Sequence, residues 1–297
     1  AMDPSGLETL WFVLICVLWI GYFVLEGYDF GVGMLLRRLS RDQADKRMVL
    51  HSIGPYWDGN EGWLIVAGGA TFAAFPEWYA TLFSGFYLAL FLILGALILR
   101  NVGFEFWGKE DGTLWRSAWE WIIVGGSAAP ALLWGVGWAN IVDGTPISRD
   151  AEFTGTLFDL LGPFALVGGV TTLVLFLSHG AIFLSLRTSG ELSERAAAMA
   201  RVALPVAAGA LALFLGWSLV RQADRDSVEW ASAALAAIAV GLAAGGAVLV
   251  RSRPMLAFGL TTGVIAATFS SLFVDLFPAA MVSSTDPAFS LGLADAA

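Results

Sequence analysis

With 297 residues, 58% hydrophobic and only 14% charged, and a mean hydropathy of +0.74, the chain is far too apolar for a soluble domain and has the composition of a polytopic membrane protein. The single cysteine, Cys16, excludes an intrachain disulfide. The formal net charge of −9 names no partner, because a membrane chain is read from where its charges sit; no basic run is interleaved with aromatics, so nucleic acid is not an expected partner.

Apolar runs of about 20 residues, the length that crosses a hydrocarbon core, recur near residues 9–36, 52–75, 78–100, 118–142, 157–186, 196–220, 229–250 and 255–277. These predict an all-α polytopic membrane protein with eight transmembrane helices, forming one integral membrane domain over 1–297. Residues 9–142 would make a first four-helix bundle, 157–277 a second, and 278–297 an outer segment. The breaks carry the expected punctuation: Pro76, the charged stretch from Gly108, the DGTP stretch from Asp143, and the RSRP stretch from Arg251. The opening AMDPS reads as an expression-vector scar. The first run is too long for a signal h-region and lacks a basic leader, so no cleavable signal is expected. Pro130, Pro163 and Pro205 are expected to kink the fourth, fifth and sixth spans, and Gly27 and Gly31 to allow close helix contact.

Basic residues fix the orientation. With the N-terminus outside, the inner connections carry Arg37, Arg38, Arg41, Lys46, Arg47, Arg100, Lys109, Arg116, Arg187, Arg195, Arg201, Arg251 and Arg253, and the outer ones only Arg149, Arg221 and Arg225.

Carboxyl groups inside apolar runs mark the chemistry. In GPYWDGNEGWL, from Gly54, Asp58 and Glu61 share a helical face, and a carboxylate at such a depth costs roughly 2.5–3.5 kcal/mol on insertion scales unless paired, hydrated or protonated. At about 1.5 Å per residue, Asp29 in the first span and Asp58 in the second fall about 10–12 Å inside the basic edge, and Arg100 at the inner end of the third can reach the same layer. Glu26 lies one turn beyond Asp29, and Glu61 one turn beyond Asp58, making a ladder of carboxyls toward the membrane centre. Such a ladder serves either a proton relay or a structural ion pair, for example Asp29 with Arg100. Trp57 and Asn60 favour a packed polar site around Asp58. His51 is expected to be exposed at the inner end of the second span, and His179 to be hydrogen-bonded inside the bundle. The two histidines make no metal or haem ligand set. Asp159 and Asp275 fall near outer helix ends.

The runs EGYDFGVGMLL from Glu26, GPYWDGNEGWLI from Gly54, ATFAAFPEWYATLFSGFYLAL from Ala70, LILRNVGFEFWGK from Leu97, FLSHGAIFLSLRT from Phe176 and FPAAMVSSTDPAFSL from Phe277 resemble subunit II of cytochrome bd quinol oxidase. The resemblance covers most of the chain and is weakest in the sixth and seventh spans. It implies a haem-free subunit of a quinol:oxygen oxidoreductase of the aerobic respiratory chain. Its partner would be a haem-bearing subunit I that holds the b haems and haem d, in a bacterial cell membrane. Quinol would be the substrate of the complex, membrane lipid and quinone would surround it, and small accessory subunits are a further partner class. This chain alone would not be catalytic and would bind no cofactor or metal. By the same resemblance Asp58, beside Trp57, serves proton delivery and haem-site integrity, Asp29 matches the aspartate of EGYDFG, and Arg100 matches the arginine of LILRNVGFEFW. The family has a ninth span, which this sequence lacks. The competing reading is a proton-coupled secondary transporter with its site at Asp58 and Asp29, which matched broken helices at the midplane would favour.

Overall fold

The computed structural model describes residues 3–224 and 229–297. Helix boundaries follow local capping chemistry. Ser5 opens α1 (Gly6–Leu39) with a reciprocal cap, its hydroxyl accepting from the Glu8 N–H while the Glu8 carboxylate accepts from the Ser5 N–H. Asp42 caps α2 (Gln43–Ile53) by accepting from the Asp45 N–H. Gly54 closes α2, and the chain turns through Pro55 before α3 (Trp57–Ala74) begins. Pro76 starts α4 (Pro76–Gly85), and Phe86 separates it from α5 (Tyr87–Phe106). The long helices α6 (Thr113–Asp143), α7 (Pro163–Arg187), α8 (Gly190–Asp224), α9 (Trp230–Leu249) and α10 (Pro254–Leu276) follow.

Among the described residues, seven helices are long and apolar enough to cross a membrane: α1 and α5 to α10. The 18-residue α3, which carries Asp58 and Glu61, is not one of them. Three expected boundaries are corrected. The run read as 52–75 is divided by Gly54 and Pro55, so His51 lies on α2 and Asp58 is the second residue of α3. The run read as 78–100 breaks at Phe86 and continues to Phe106, which places Arg100 within α5 and outside any connection. The run read as 157–186 begins at Pro163, which opens α7 and does not kink it, while Leu157–Leu160 form a 3-10 turn. Pro130 and Pro205 do lie inside α6 and α8. Arg225 lies outside the described residues.

In lipid the hydrophobic effect does not distinguish helix–helix from helix–lipid contact, so close packing and polar bonds decide which helices meet. Helix α1 is the central element, packed on α3, α6, α7 and α10. Its crossing with α7 is a backbone contact: a methyl group at Gly31 would run into the Phe176 carbonyl oxygen and lie 2.7 Å from Gly180 Cα. Above this crossing Phe23 stacks on Phe269 at 4.0 Å and on Trp19 at 5.8 Å, and Trp134 and Trp138 meet the Phe23 ring edge-on. At the end opposite Arg37–Arg47, residues 278–297 fold across the helix ends. There β1 (Ala279–Met281) pairs antiparallel with β2 (Leu291–Gly292), Ser283 Oγ donates to the Ile147 carbonyl, and α11 (Leu293–Ala296) packs on α1 and α4.

Candidate functional site

The site is built from α1, α3 and α5, whose buried polar side chains meet. Arg100 sits six residues before the end of α5, about 9 Å inside it at 1.5 Å per residue, and is fully buried. Its Nη2 donates to Glu26 Oε1 of α1 and, at 3.0 Å, to Glu61 Oε1 of α3. The guanidinium plane lies 4.9 Å from the Phe30 ring centre and 5.4 Å from that of Phe104, so aromatic faces cover the parts that carboxylates do not. Asn101, next in α5, donates to Glu61 Oε2 at 2.5 Å. One guanidinium thus fastens three helices together.

Asp29, one turn from Glu26 on α1, is also fully buried, but it accepts from Asn60 Nδ2 at 2.6 Å and makes no hydrogen bond with Arg100. The same amide reaches Tyr28 Oη at 2.7 Å. Tyr28 is fixed by stacking on Phe183 of α7 at 4.2 Å. Among the described residues, Glu26 Oε2, Asp29 Oδ1 and Arg100 Nε and Nη1 have no hydrogen-bond partner in the protein. Two carboxylates therefore share one guanidinium, a third carboxyl lies one helical turn away, and some of their atoms are left open.

Of the residues singled out from the sequence, Glu26, Asp29, Glu61 and Arg100 come together. Asp58 does not: it is exposed in the first turn of α3, because the Gly54–Pro55 turn moves the helix start to Trp57. It stays one turn from Glu61, at the mouth of the cluster and outside the buried layer. Trp57 is half-buried, and its ring lies 5.6 Å from that of Phe104, which in turn covers Arg100. His179 is buried in α7, its Nδ1 2.7 Å from Thr261 Oγ1 and its ring stacked on Phe258 at 4.5 Å, while His51 is exposed on α2. Asp159, in the connection before α7, accepts from the Thr156 N–H and hydroxyl, and those two donors hold its carboxyl below the usual range.

One feature was not singled out from the sequence, and one was singled out for another partner. Glu120 of α6, 1% exposed, pairs with Arg37 of α1 at 2.6 Å and Lys46 of α2 at 2.8 Å and accepts from Trp107 Nε1. It clamps α2 to the helix ends, and its signal was a lone carboxylate inside the run 118–142. Asn60 was marked for a packed polar site around Asp58, and its partner proves to be Asp29. Away from the charged site, a lateral apolar cavity of about 320 Å³ opens between α3, α4, α5 and α6, bounded by Phe72, Phe83, Trp134 and Trp138.

A family model described as cytochrome bd terminal oxidase subunit II matches residues 7–297. The chain is 39% identical over 297 residues to cytochrome bd ubiquinol oxidase subunit 2 of Bacillus subtilis, an alignment covering 98% of this chain and 87% of the relative. It is 44% identical over 220 residues to cytochrome bd-I ubiquinol oxidase subunit 2 of Escherichia coli K12, covering 73% of this chain and 58% of that relative. The fold matches a chain of the bd oxidase from Geobacillus thermodenitrificans with a TM-score of 0.74 at 16% identity, over 93% of this chain and 86% of that one. Together with its apolar helices, these matches identify a multi-pass membrane protein that belongs to the cytochrome bd terminal oxidase subunit II family.

Proposed function

We propose that this chain is the haem-free subunit II of a quinol:oxygen oxidoreductase, paired with a haem-bearing subunit I in a bacterial cell membrane, and that its buried carboxyls take protons from the cytoplasmic side. The carrying observation is the excess of carboxyl over guanidinium: Glu26 and Glu61 both bond Arg100, and Asp29, buried one turn from Glu26, bonds the neutral amide of Asn60. A purely structural ion pair needs one acid for one base, since each further buried carboxylate adds a desolvation cost that the pair does not offset. A proton held by, or passing between, the three groups relieves that imbalance. Asp58, exposed on the first turn of α3, is the mouth; Glu61, one turn deeper and 18% exposed, is the next group; Glu26, fully buried, follows across Arg100.

In this arrangement α3 completes an eight-helix crossing as two four-helix bundles, with the N-terminus outside. The cationic residues near the Leu39 end favour that orientation: Arg37, Arg38, Arg41, Lys46, Arg47, Arg187 and Arg195 cluster where α1, α2, α7 and α8 meet. The donor set supports a haem-free subunit. His179 bonds Thr261 through Nδ1 and is covered by Phe258, and His51 is exposed on α2, so the two do not converge on one site.

The test is to express the chain with its partner subunit and measure haem content and quinol-driven oxygen consumption on one preparation. Asp58→Asn and Glu61→Gln should each lower turnover about tenfold or more, a barrier change of about 1.4 kcal/mol, while haem content holds. Parental turnover in both variants with full haem would remove the relay and leave a structural cluster.

A further inference from the structure

Asn60 is the most deeply buried residue in the first turn of α3, 7% exposed, although exposed Asp58 and half-buried Glu61 flank it. Its Nδ2 is 2.6 Å from Asp29 Oδ2, 2.7 Å from Tyr28 Oη and 3.5 Å from the Leu25 carbonyl. Arg100 meanwhile spends its bonded nitrogen on Glu26 and Glu61. The buried polar groups therefore form two sets: Arg100 with Glu26, Glu61 and Asn101, and Asn60 with Asp29 and Tyr28.

We propose that Asn60 is a positioning residue that holds Asp29 against the Tyr28 hydroxyl and apart from the Arg100 guanidinium, making Asp29 and Tyr28 a second proton-handling arm. This rests on the proton-path reading above. The choice of an amide has a chemical reason. A guanidinium only donates and so favours the carboxylate, whereas an amide offers both NH2 and C=O and can bond a carboxyl in either protonation state. Asp29 held by Asn60 can gain and lose a proton without breaking its contact. Tyr28, whose hydroxyl both donates and accepts, is the neighbouring group able to pass that proton on, and its ring is locked by Phe183. The titratable and charged groups around Asp29 are Glu26 and Tyr28 on its own helix, Asp58 and Glu61 on α3, Arg100 on α5, and His179 on α7, whose ring lies 6.1 Å from that of Tyr28.

The test uses the assembled complex with its haem-bearing partner and records three readouts per variant: haem spectrum, oxygen consumption, and its pH profile. Asn60→Leu keeps the branched shape and removes the bonds. It should lower turnover about tenfold and change the pH profile with the haem spectrum intact, and Asn60→Ser, which restores a short hydroxyl, should recover part of both. Tyr28→Phe should move the pH profile in the same sense. Asn60→Leu with intact haem, parental turnover and a parental pH profile overturns the proposal. If Asn60→Leu loses haem, Tyr28→Phe decides: an unmoved profile makes Asn60 a packing residue and overturns the proposal, and a moved one supports it. Asp29→Asn separates the two levels. If it too leaves turnover and profile unchanged, the proton path through Asp29 fails; if it lowers turnover while Asn60→Leu does not, only the role of Asn60 fails.

Discussion

Arg100 balances two carboxylates on two other helices. Removing one member of a buried ion pair typically costs about 3–5 kcal/mol, because the partner is left as an uncompensated charge, and here Glu26 and Glu61 would both be left. Arg100→Met is therefore expected to lower the melting temperature of the purified complex sharply, and Arg100→Met with Glu26→Gln to recover part of the loss. Melting of Arg100→Met at the parental temperature would show that the guanidinium is not what balances the cluster. Glu26, Asp29, Glu61 and Arg100 were legible in the sequence because a charge inside an apolar run is conspicuous and helical spacing assigns it a depth. Asp58 was misplaced because depth was counted from His51, across a Gly54–Pro55 turn that begins a new helix. Asn60 was not legible at all as a ligand of Asp29: an uncharged amide leaves no mark in a search for charges, and its partner lies on another helix.

At the scale of elements, the α1–α7 crossing depends on two glycines, Gly31 and Gly180, whose backbones touch. Overpacking a tight contact typically costs about 1–3 kcal/mol. Gly31→Ala should reach or exceed that range, because the obstacle is backbone and cannot rotate away. A thermal melt of the complex checks this, and Gly59→Ala, where nothing lies within 4 Å of the added methyl in the chain itself, is the comparison. Equal melting of the two variants would mean that the crossing is looser than its geometry. Helix existence was legible from the long apolar runs, and Gly27 and Gly31 were marked for close contact. The breaks at Gly54–Pro55 and Phe86 were not, because a short interruption inside an apolar stretch barely changes its mean hydropathy.

For the whole molecule, orientation is the property that the sequence reads by counting arginines and lysines. Among the cations assigned to inner connections, Arg100 proves to be interior and belongs to the site, while the rest of the Leu39-end cluster stays at the helix ends. Ala44, exposed on α2, is a suitable reporter. With Cys16 replaced by Ala, Ala44→Cys should resist a membrane-impermeant thiol reagent in whole cells and react after permeabilisation. Labelling in intact cells would reverse the orientation. The clamp of Glu120 on Arg37 and Lys46 keeps α2 against that face, so the reporter reads the position of the helix ends and not of a wandering loop.

The burial of Arg100 also sets an order of events during synthesis. An arginine at the centre of a span costs roughly 2.5–3.5 kcal/mol on translocon scales; α5, with Arg100 six residues from its end, still qualifies as a span by its own hydropathy, whereas α3 does not. Helix α3 is therefore the one that is not self-sufficient at the ribosome-bound channel. Its Glu61, like Glu26 of α1, finds its counter-charge only when α5 has been made. Helix α3 should therefore settle after α5 has emerged. A glycosylation reporter following α3 should show poor insertion of that helix alone, efficient insertion when α5 follows it, and loss of that gain with Arg100→Leu. Efficient insertion of isolated α3 would mean that the helices enter the bilayer one at a time and find each other afterwards.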